Sequence, residues 1–153
     1  MCFRCDYPAL LQASGLGVTQ NRLKVLEVIG DHDSPLCAQE IFTTLKSRTS
    51  INRVTVYRIL DLLVAYGLAE RISSGGRAFF YGMAPNPHHQ PHPHFYCRQC
   101  GHMECLNPES LNIDLEHLDR VFPGIVQGVE VRVDGICKSC LKGDAKCNPI
   151  SPP

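Results

Sequence analysis

The sequence contains no run of the roughly 18 apolar residues that a membrane-spanning helix needs. Its opening, Met1-Cys2-Phe3-Arg4-Cys5-Asp6, lacks the basic-then-apolar profile of a secretory leader. Both absences lead to the expectation of a cytoplasmic protein with no membrane partner. An excess of one charge sign is missing too: 15 Lys/Arg balance 15 Asp/Glu, so no overall field draws the chain to nucleic acid. There is no internal repeat, and no H-x-E is followed by P-C-x-x-C, the arrangement of the zinc deaminases, so an enzyme is not expected. At 153 residues the chain suits one domain of ordinary size or two small ones, and 44% hydrophobic residues exclude wholesale disorder.

Cysteine, by contrast, is abundant. Nine thiols in a reducing compartment read as metal ligands or redox centres rather than as a disulfide framework. The neutral average also hides a division. Residues 1–82 carry nine Lys/Arg against seven Asp/Glu and one histidine, whereas residues 83–153 carry six against eight, with six histidines and six cysteines. Two halves with two tasks are expected.

The first half, residues 1–82, reads as three helices and a hairpin. Thr19 is placed to cap a helix running to about Ile29, with Leu23, Leu26 and Ile29 inward. A second helix spans Ala38 to about Arg48 through Ile41, Phe42 and Leu45. A third runs from Asn52 or Arg53 to Tyr66 through Val56, Ile59, Leu60 and Leu63, with Gly67 as its left-handed stop. Leu68–Ile72 and Arg77–Tyr81 read as strands around Ser73-Ser74-Gly75-Gly76. This is the element order of a winged helix-turn-helix; a small helical bundle with an edge hairpin has the same order. Residues 83–93 (MAPNPHHQPHP) hold four prolines and form a hinge without regular structure. Residues 94–142 read as a small α+β unit: two strands around a knuckle within Phe95–Leu106, a helix over Ser110–Phe122 with Leu111, Leu115, Leu118 and Phe122 inward, and a strand over Val126–Val133. Residues 143–153 read as a loose tail.

Cys97-Arg98-Gln99-Cys100-Gly101 and Cys137-Lys138-Ser139-Cys140 are two C-x-x-C pairs, 36 residues apart. Such a pair sets two sulfurs on one side of a tight turn, and two pairs supply the four thiolates of a tetrahedral structural Zn²⁺. An iron–sulfur cluster also takes four cysteines. A thioredoxin-like dithiol would open a helix, whereas Gly101 to Cys105 continues as strand. Beside the first pair, five of the seven histidines (His88, His89, His92, His94 and His102) fall within fifteen residues. Alternate residues of an extended chain share a face, so His92 and His94 suit one metal ion, and Cys105 on the returning strand can add a thiolate. His88 and His89 are further candidates, or belong to a solvated loop. His102 and His117 are expected at the surface and His32 in a loop. Cys2, Cys5 and Cys147 read as incidental.

Val18-Thr19-Gln20-Asn21-Arg22, Ala38-Gln39-Glu40-Ile41-Phe42 and Thr55-Val56-Tyr57-Arg58-Ile59-Leu60, followed by Gly67-Leu68, the histidine cluster and both cysteine pairs, resemble the ferric uptake regulator (Fur) family of metal-dependent repressors over about residues 8–141. The resemblance implies a homodimer whose winged helices bind double-stranded DNA at an AT-rich inverted repeat, and whose C-terminal halves form the dimer interface. Regulatory metal would hold the two DNA-binding domains at the operator's spacing. On this resemblance Tyr57 and Arg58 project from the recognition helix toward bases or backbone, with Asn52, Arg53 and Thr55 at its start and Arg22 among the phosphate contacts. Tyr57 as a half-buried helix residue and Arg22 as a solvated charge are the plainer alternatives.

The chain departs from the family around the regulatory site. Pro91 and Pro93 interrupt the histidine run, Cys105 replaces a frequent carboxylate, and Val129 replaces a frequent histidine. Tyr81 stands at a wing-strand position that often supplies Glu or Cys, and Pro35 and Cys37 stand where a histidine-containing loop is common. Thiolate in place of carboxylate shifts preference from Fe²⁺ or Mn²⁺ toward Zn²⁺. The expected regulatory set is therefore His92, His94 and Cys105, completed by His88 or His89, with zinc-uptake-regulator character. Iron-, manganese-, peroxide- or haem-responsive behaviour within the family, and a metal buffer without DNA affinity, are the competing readings.

Overall fold

The structure is a computed structural model that describes residues 5–144. Cys2, Cys147 and the segment 145–153 lie outside the described residues. The chain divides into two compact units, one ending at Pro91 and the other beginning at His92. Among the described residues no helix is long and apolar enough to cross a membrane.

The first unit is a winged helix-turn-helix. Helix α1 (Tyr7–Ser14) is started by Asp6, whose carboxylate accepts the Ala9 N–H at 3.0 Å, and stopped by Gly15 at φ 81°. The Thr19 hydroxyl starts α2 (Gln20–Asp31) by accepting the Arg22 N–H at 3.3 Å. Strand β1 (Leu36–Cys37) leads into α3 (Ala38–Lys46), where Glu40 accepts the Cys37 N–H at 2.8 Å. Asn52 starts α4 (Arg53–Ala65) by accepting the Thr55 N–H at 2.8 Å, and Gly67 at φ 71° ends it, letting the Leu68 N–H bond the Leu63 carbonyl at 2.8 Å. Such capping bonds are worth roughly 1 kcal/mol each, because they satisfy end groups that the helix itself cannot. Strands β2 (Ala69–Ser73) and β3 (Phe79–Met83) form the wing, in the antiparallel order β1-β3-β2.

The core of this unit lies where α2, α3 and α4 meet. Val25, Leu26, Ile41, Leu45, Val56, Leu60 and Leu63 are essentially sealed from solvent. Burial of each such side chain contributes about 1.5–3 kcal/mol. The expected stripes are inside, except that Leu23 and Phe42 are half-buried at the rim. The second wing strand runs two residues later than its pattern suggested, because Ser74 Oγ donates to the Ala78 carbonyl at 2.7 Å and extends the turn. Helix α1 and strand β1 were not expected. Tyr7 of α1 lies against Gly30 of α2, and its hydroxyl donates to Asp31 Oδ1 at 2.9 Å. Met83, expected in the hinge, closes β3 opposite Ala69, and the segment 84–93 is irregular apart from one tight turn, in which Asn86 and His89 exchange backbone bonds of 3.0 and 2.9 Å.

The second unit is built on a three-stranded sheet of order β5-β4-β6: β4 (His94–Cys97), β5 (Met103–Cys105) and β6 (Arg132–Gly135). β5 runs antiparallel to β4 and β6 parallel to it. Two expectations are corrected here. The helix over 110–122 is only α5 (Leu115–Val121), preceded by a 3-10 turn at Pro108–Ser110, and Leu111, Leu115, Leu118 and Phe122 are exposed rather than inward. Its periodicity marks an apolar face that no layer among the described residues of this unit covers. The strand over 126–133 reduces to β6, which starts at Arg132 and leaves Val129 exposed. The second cysteine pair opens a short helix, α6 (Lys138–Lys142), with Gly143 at φ 70° as its stop.

Gly30 is the position most sensitive to a small change. A Cβ there would overlap the Tyr7 ring. Gly30→Ala is expected to lift α1 from α2 and to lower the unfolding free energy by about 1–3 kcal/mol in denaturant titration, despite alanine's better helix propensity.

Candidate metal centres and recognition helix

Strand β4 ends at Cys97, and the chain reverses through Gly101 at φ 71°, whose N–H bonds the Cys97 carbonyl at 2.8 Å. The parallel strand β6 delivers Cys137 beside this knuckle. The Arg98 N–H bonds the Gly135 carbonyl at 2.8 Å, and the Cys137 N–H donates to Cys97 Sγ at 3.3 Å. The four sulfurs of Cys97, Cys100, Cys137 and Cys140 all lie within 4.8 Å of one another. Two of the separations, Cys97–Cys140 and Cys100–Cys137, are 3.8 Å. Four sulfurs at ~2.3 Å from a tetrahedral zinc stand roughly 3.8 Å apart, so the cluster fits that ion. Burial resists ionisation of Cys97, yet the N–H groups of Cys100, Cys137 and Gln99 outweigh it and bring the thiol down to about 6. The residues thus favour the thiolate that a metal requires.

A second cluster forms at the other end of the same strands. His92, His94 and Cys105 offer donor atoms within 4.8 Å of one another. The two imidazoles are 4.7 Å apart, centre to centre, as their alternate spacing on an extended chain requires. Cys105 stands directly across from His94 in the β4–β5 register. The neighbouring bond, from the Leu106 N–H to the Pro93 carbonyl at 2.8 Å, makes this a non-hydrogen-bonded pair, where facing side chains approach most closely. His94 is 4% exposed and Cys105 is exposed. Burial, followed by the neighbouring His92, lowers His94 from the ordinary value of 6.5 to about 4, so the ring is a neutral donor at physiological pH.

His88 and His89 belong to the preceding unit, where Asn86 organises their turn: its side chain accepts the His88 N–H at 2.8 Å. His102 is exposed beside Glu104 at 3.5 Å, His117 is exposed, and His32 lies just past α2 with its Nδ1 2.7 Å from the Val28 carbonyl. Cys5 is half-buried against the core of the first unit. The thiol of Cys37 at the start of α3 is raised, chiefly by burial. Tyr81 is buried, and burial likewise raises its phenol. Sequence reading missed Arg132 and Asp134. Asp134 accepts from Arg132 Nε at 2.6 Å and from Arg98 Nη2 at 3.4 Å, and the alternating R-V-D of β6 was its only trace.

On α4, Tyr57 is 44% exposed and Arg58 is exposed, while Val56, Ile59 and Leu60 of the same helix face the core. Arg53 stacks over the Phe42 ring at 5.1 Å, Asn52 is engaged as the helix cap, and Thr55 is half-buried. Arg22 donates to the Leu16 carbonyl at 2.7 Å and the Gly17 carbonyl at 3.3 Å, bracing the turn before α2.

The profile of the ferric uptake regulator family matches residues 13–119, most of the chain. The chain belongs to the ferric uptake regulator family. That membership gives its general class, a metal-responsive transcriptional regulator and not an enzyme. It is similar to the Legionella pneumophila ferric uptake regulation protein, with 30% identity over 132 residues, 85% of this chain and 95% of that one. It is also similar to ferric uptake regulation protein 1 of Mycolicibacterium fortuitum, 31% identical over 96 residues; that match takes in 63% of this chain and spans only 58% of the relative's length. The Vibrio cholerae ferric uptake regulator shares the fold, with a TM-score of 0.70 at 24% identity over 86% of this chain and 100% of that one.

The lowered value for His94 sets a pH dependence. Between 6.5 and about 4 the unfolded chain binds a proton at this position that the folded chain does not, so stability falls as pH drops through that window. In metal-free protein, the ring protons of His94 should keep their neutral NMR shift down to about pH 4. A midpoint near the ordinary histidine value would show that the ring is not sealed as described.

Proposed function

We propose that this chain is a zinc-responsive repressor, active as a homodimer, with a structural zinc on Cys97, Cys100, Cys137 and Cys140 and a regulatory zinc on His92, His94 and Cys105. The observation that carries the reading is the second donor set. Two imidazoles and one thiolate form a borderline-soft site, which suits Zn²⁺ better than the carboxylate-rich sites that suit Fe²⁺ or Mn²⁺. Three protein donors leave a fourth position for one further ligand, such as a solvent molecule. The exposed apolar side chains Leu115, Leu118, Val121, Phe122, Ile125 and Val129 support dimerisation through the second unit, since a single chain leaves them to water.

The DNA surface is the outer side of α4. Tyr57 and Arg58 would reach the major groove of an AT-rich inverted repeat, Tyr57 packing on thymine methyls and Arg58 meeting guanine or phosphate. Asn52, Arg53 and Thr55 would lie at the helix start, near the backbone, and Arg22 would be a phosphate contact at α2. Metal at the first residues of the second unit fixes the chain where it leaves the proline-rich segment. DNA affinity then rises by the metal's differential affinity for the DNA-competent arrangement, and DNA must tighten the metal equally.

In a band-shift titration with promoter DNA at buffered free metal, Zn²⁺ should tighten binding by about tenfold or more, within the usual range for coupled sites. The double variant Cys105→Ser/His94→Ala should fold normally and lose that response. Tightening by Fe²⁺ or Mn²⁺ alone, or a normal zinc response from the double variant, would overturn the assignment. Separately, Arg58→Ala should weaken DNA binding by about 1–3 kcal/mol if it reads a base, or reduce the salt slope by about one if it holds a phosphate. An unchanged affinity and slope would remove α4 from the interface.

A further inference from the structure

The two clusters share one hairpin. Of the seven donors, His94, Cys97, Cys100 and Cys105 all lie on residues 94–105, with the two cysteines of the first pair at its turn and His94 and Cys105 at its open end. The turn is the cysteine knuckle itself, because β4 ends at Cys97 and β5 begins at Met103. The register therefore originates in the knuckle. The Gly101 N–H bonds the Cys97 carbonyl at 2.8 Å, and the Cys97 N–H bonds the His102 carbonyl at 2.9 Å. Tyr96 then falls opposite Met103, Phe95 opposite Glu104, and His94 opposite Cys105.

That ladder has only three register pairs. A hairpin this short is not stable in water by its own backbone bonds, so the geometry of its turn decides its alignment. A slip of one residue would turn Cys105 to the opposite face and set Glu104 or Leu106 across from His94. The second cysteine pair and strand β6 brace the turn from outside: the Cys137 N–H donates to Cys97 Sγ at 3.3 Å, and Asp134 of β6 accepts from Arg98 inside the first pair at 3.4 Å.

The geometry points to an energetic link between the two centres. Occupancy of the tetrathiolate centre sets the hairpin register that places Cys105 against His94, and so creates the ligand set of the second centre. By reciprocity, metal at the second centre tightens the first. The link rests on the reading of His92, His94 and Cys105 as a metal site, and the experiment separates the two claims.

Metal-free full-length chain is titrated with Co²⁺, whose thiolate charge-transfer absorption grows with the number of bound sulfurs. The part of the signal lost in Cys105→Ser marks the second centre. Cys140→Ser keeps every donor of the hairpin and should raise the Co²⁺ midpoint of the second centre by about tenfold. Gly101→Val keeps all seven donors but puts a β-branched side chain at φ 71°; it should raise the same midpoint, with Gly101→Asn falling between it and wild type, since Asn tolerates that conformation. Should Cys140→Ser fail to fold, the Gly101 series decides. Midpoints within about twofold of wild type in the folded variants would overturn the link while leaving the second centre in place. Wild-type protein with no signal dependent on Cys105 would overturn both the link and the site.

Discussion

Four sulfurs held within 4.8 Å of one another are the constraint on which the second unit depends. As thiolates they repel strongly at that range, and only a cation at their centre makes the arrangement favourable. The unit has little else to hold it. Among its described residues, the buried side chains are Pro93, His94, Cys97, Cys100 and Met103, a core far smaller than that of the three-helix unit. A metal crosslink between the knuckle after β4 and the start of α6 would do the work that apolar layers do elsewhere. The parallel pairing of β4 with β6 is what brings the two distant cysteine pairs side by side.

Legibility in the sequence followed the reach of the interactions. The three central helices were readable because their signals are local: Thr19 and Asn52 as caps, Gly67 as a stop, and Leu26, Ile41 and Leu60 at helical spacing. Both donor clusters were readable for the same reason, since C-x-x-C and the alternate His92 and His94 place potential ligands together by covalent spacing alone. Cys105 joined them because a strand returning from a knuckle has few places to go.

Other features were not local. Helix α1 is eight residues long and is held by Leu11, wholly buried in the core, and by the Tyr7 ring against Gly30, a contact 23 positions away that no periodicity reveals. The apolar spacing of Leu111, Leu115, Leu118 and Phe122 was real, but spacing does not say which body covers a face, and here the single chain does not. Arg132 and Asp134 escaped notice because their meaning depends on a parallel neighbour far away in sequence. Family membership adds the general class of function to this, while the proposed choice of zinc turns on a single replacement, sulfur at position 105.

The unequal exposure of the two sulfur environments has a kinetic consequence. Cys97 is wholly shielded and Cys100 nearly so, whereas Cys105 stands at the surface. An ion on the four cysteines would be shielded on the Cys97 and Cys100 side and reached only past the half-buried Cys137 and Cys140, so its exchange would be slow. At the proposed second site a small chelator or a passing thiol could attack from the exposed Cys105 side, and departure would be quick. On the proposed assignment one molecule would carry a slow clock and a fast one joined by the same hairpin, and only the fast one would report the metal content of the moment.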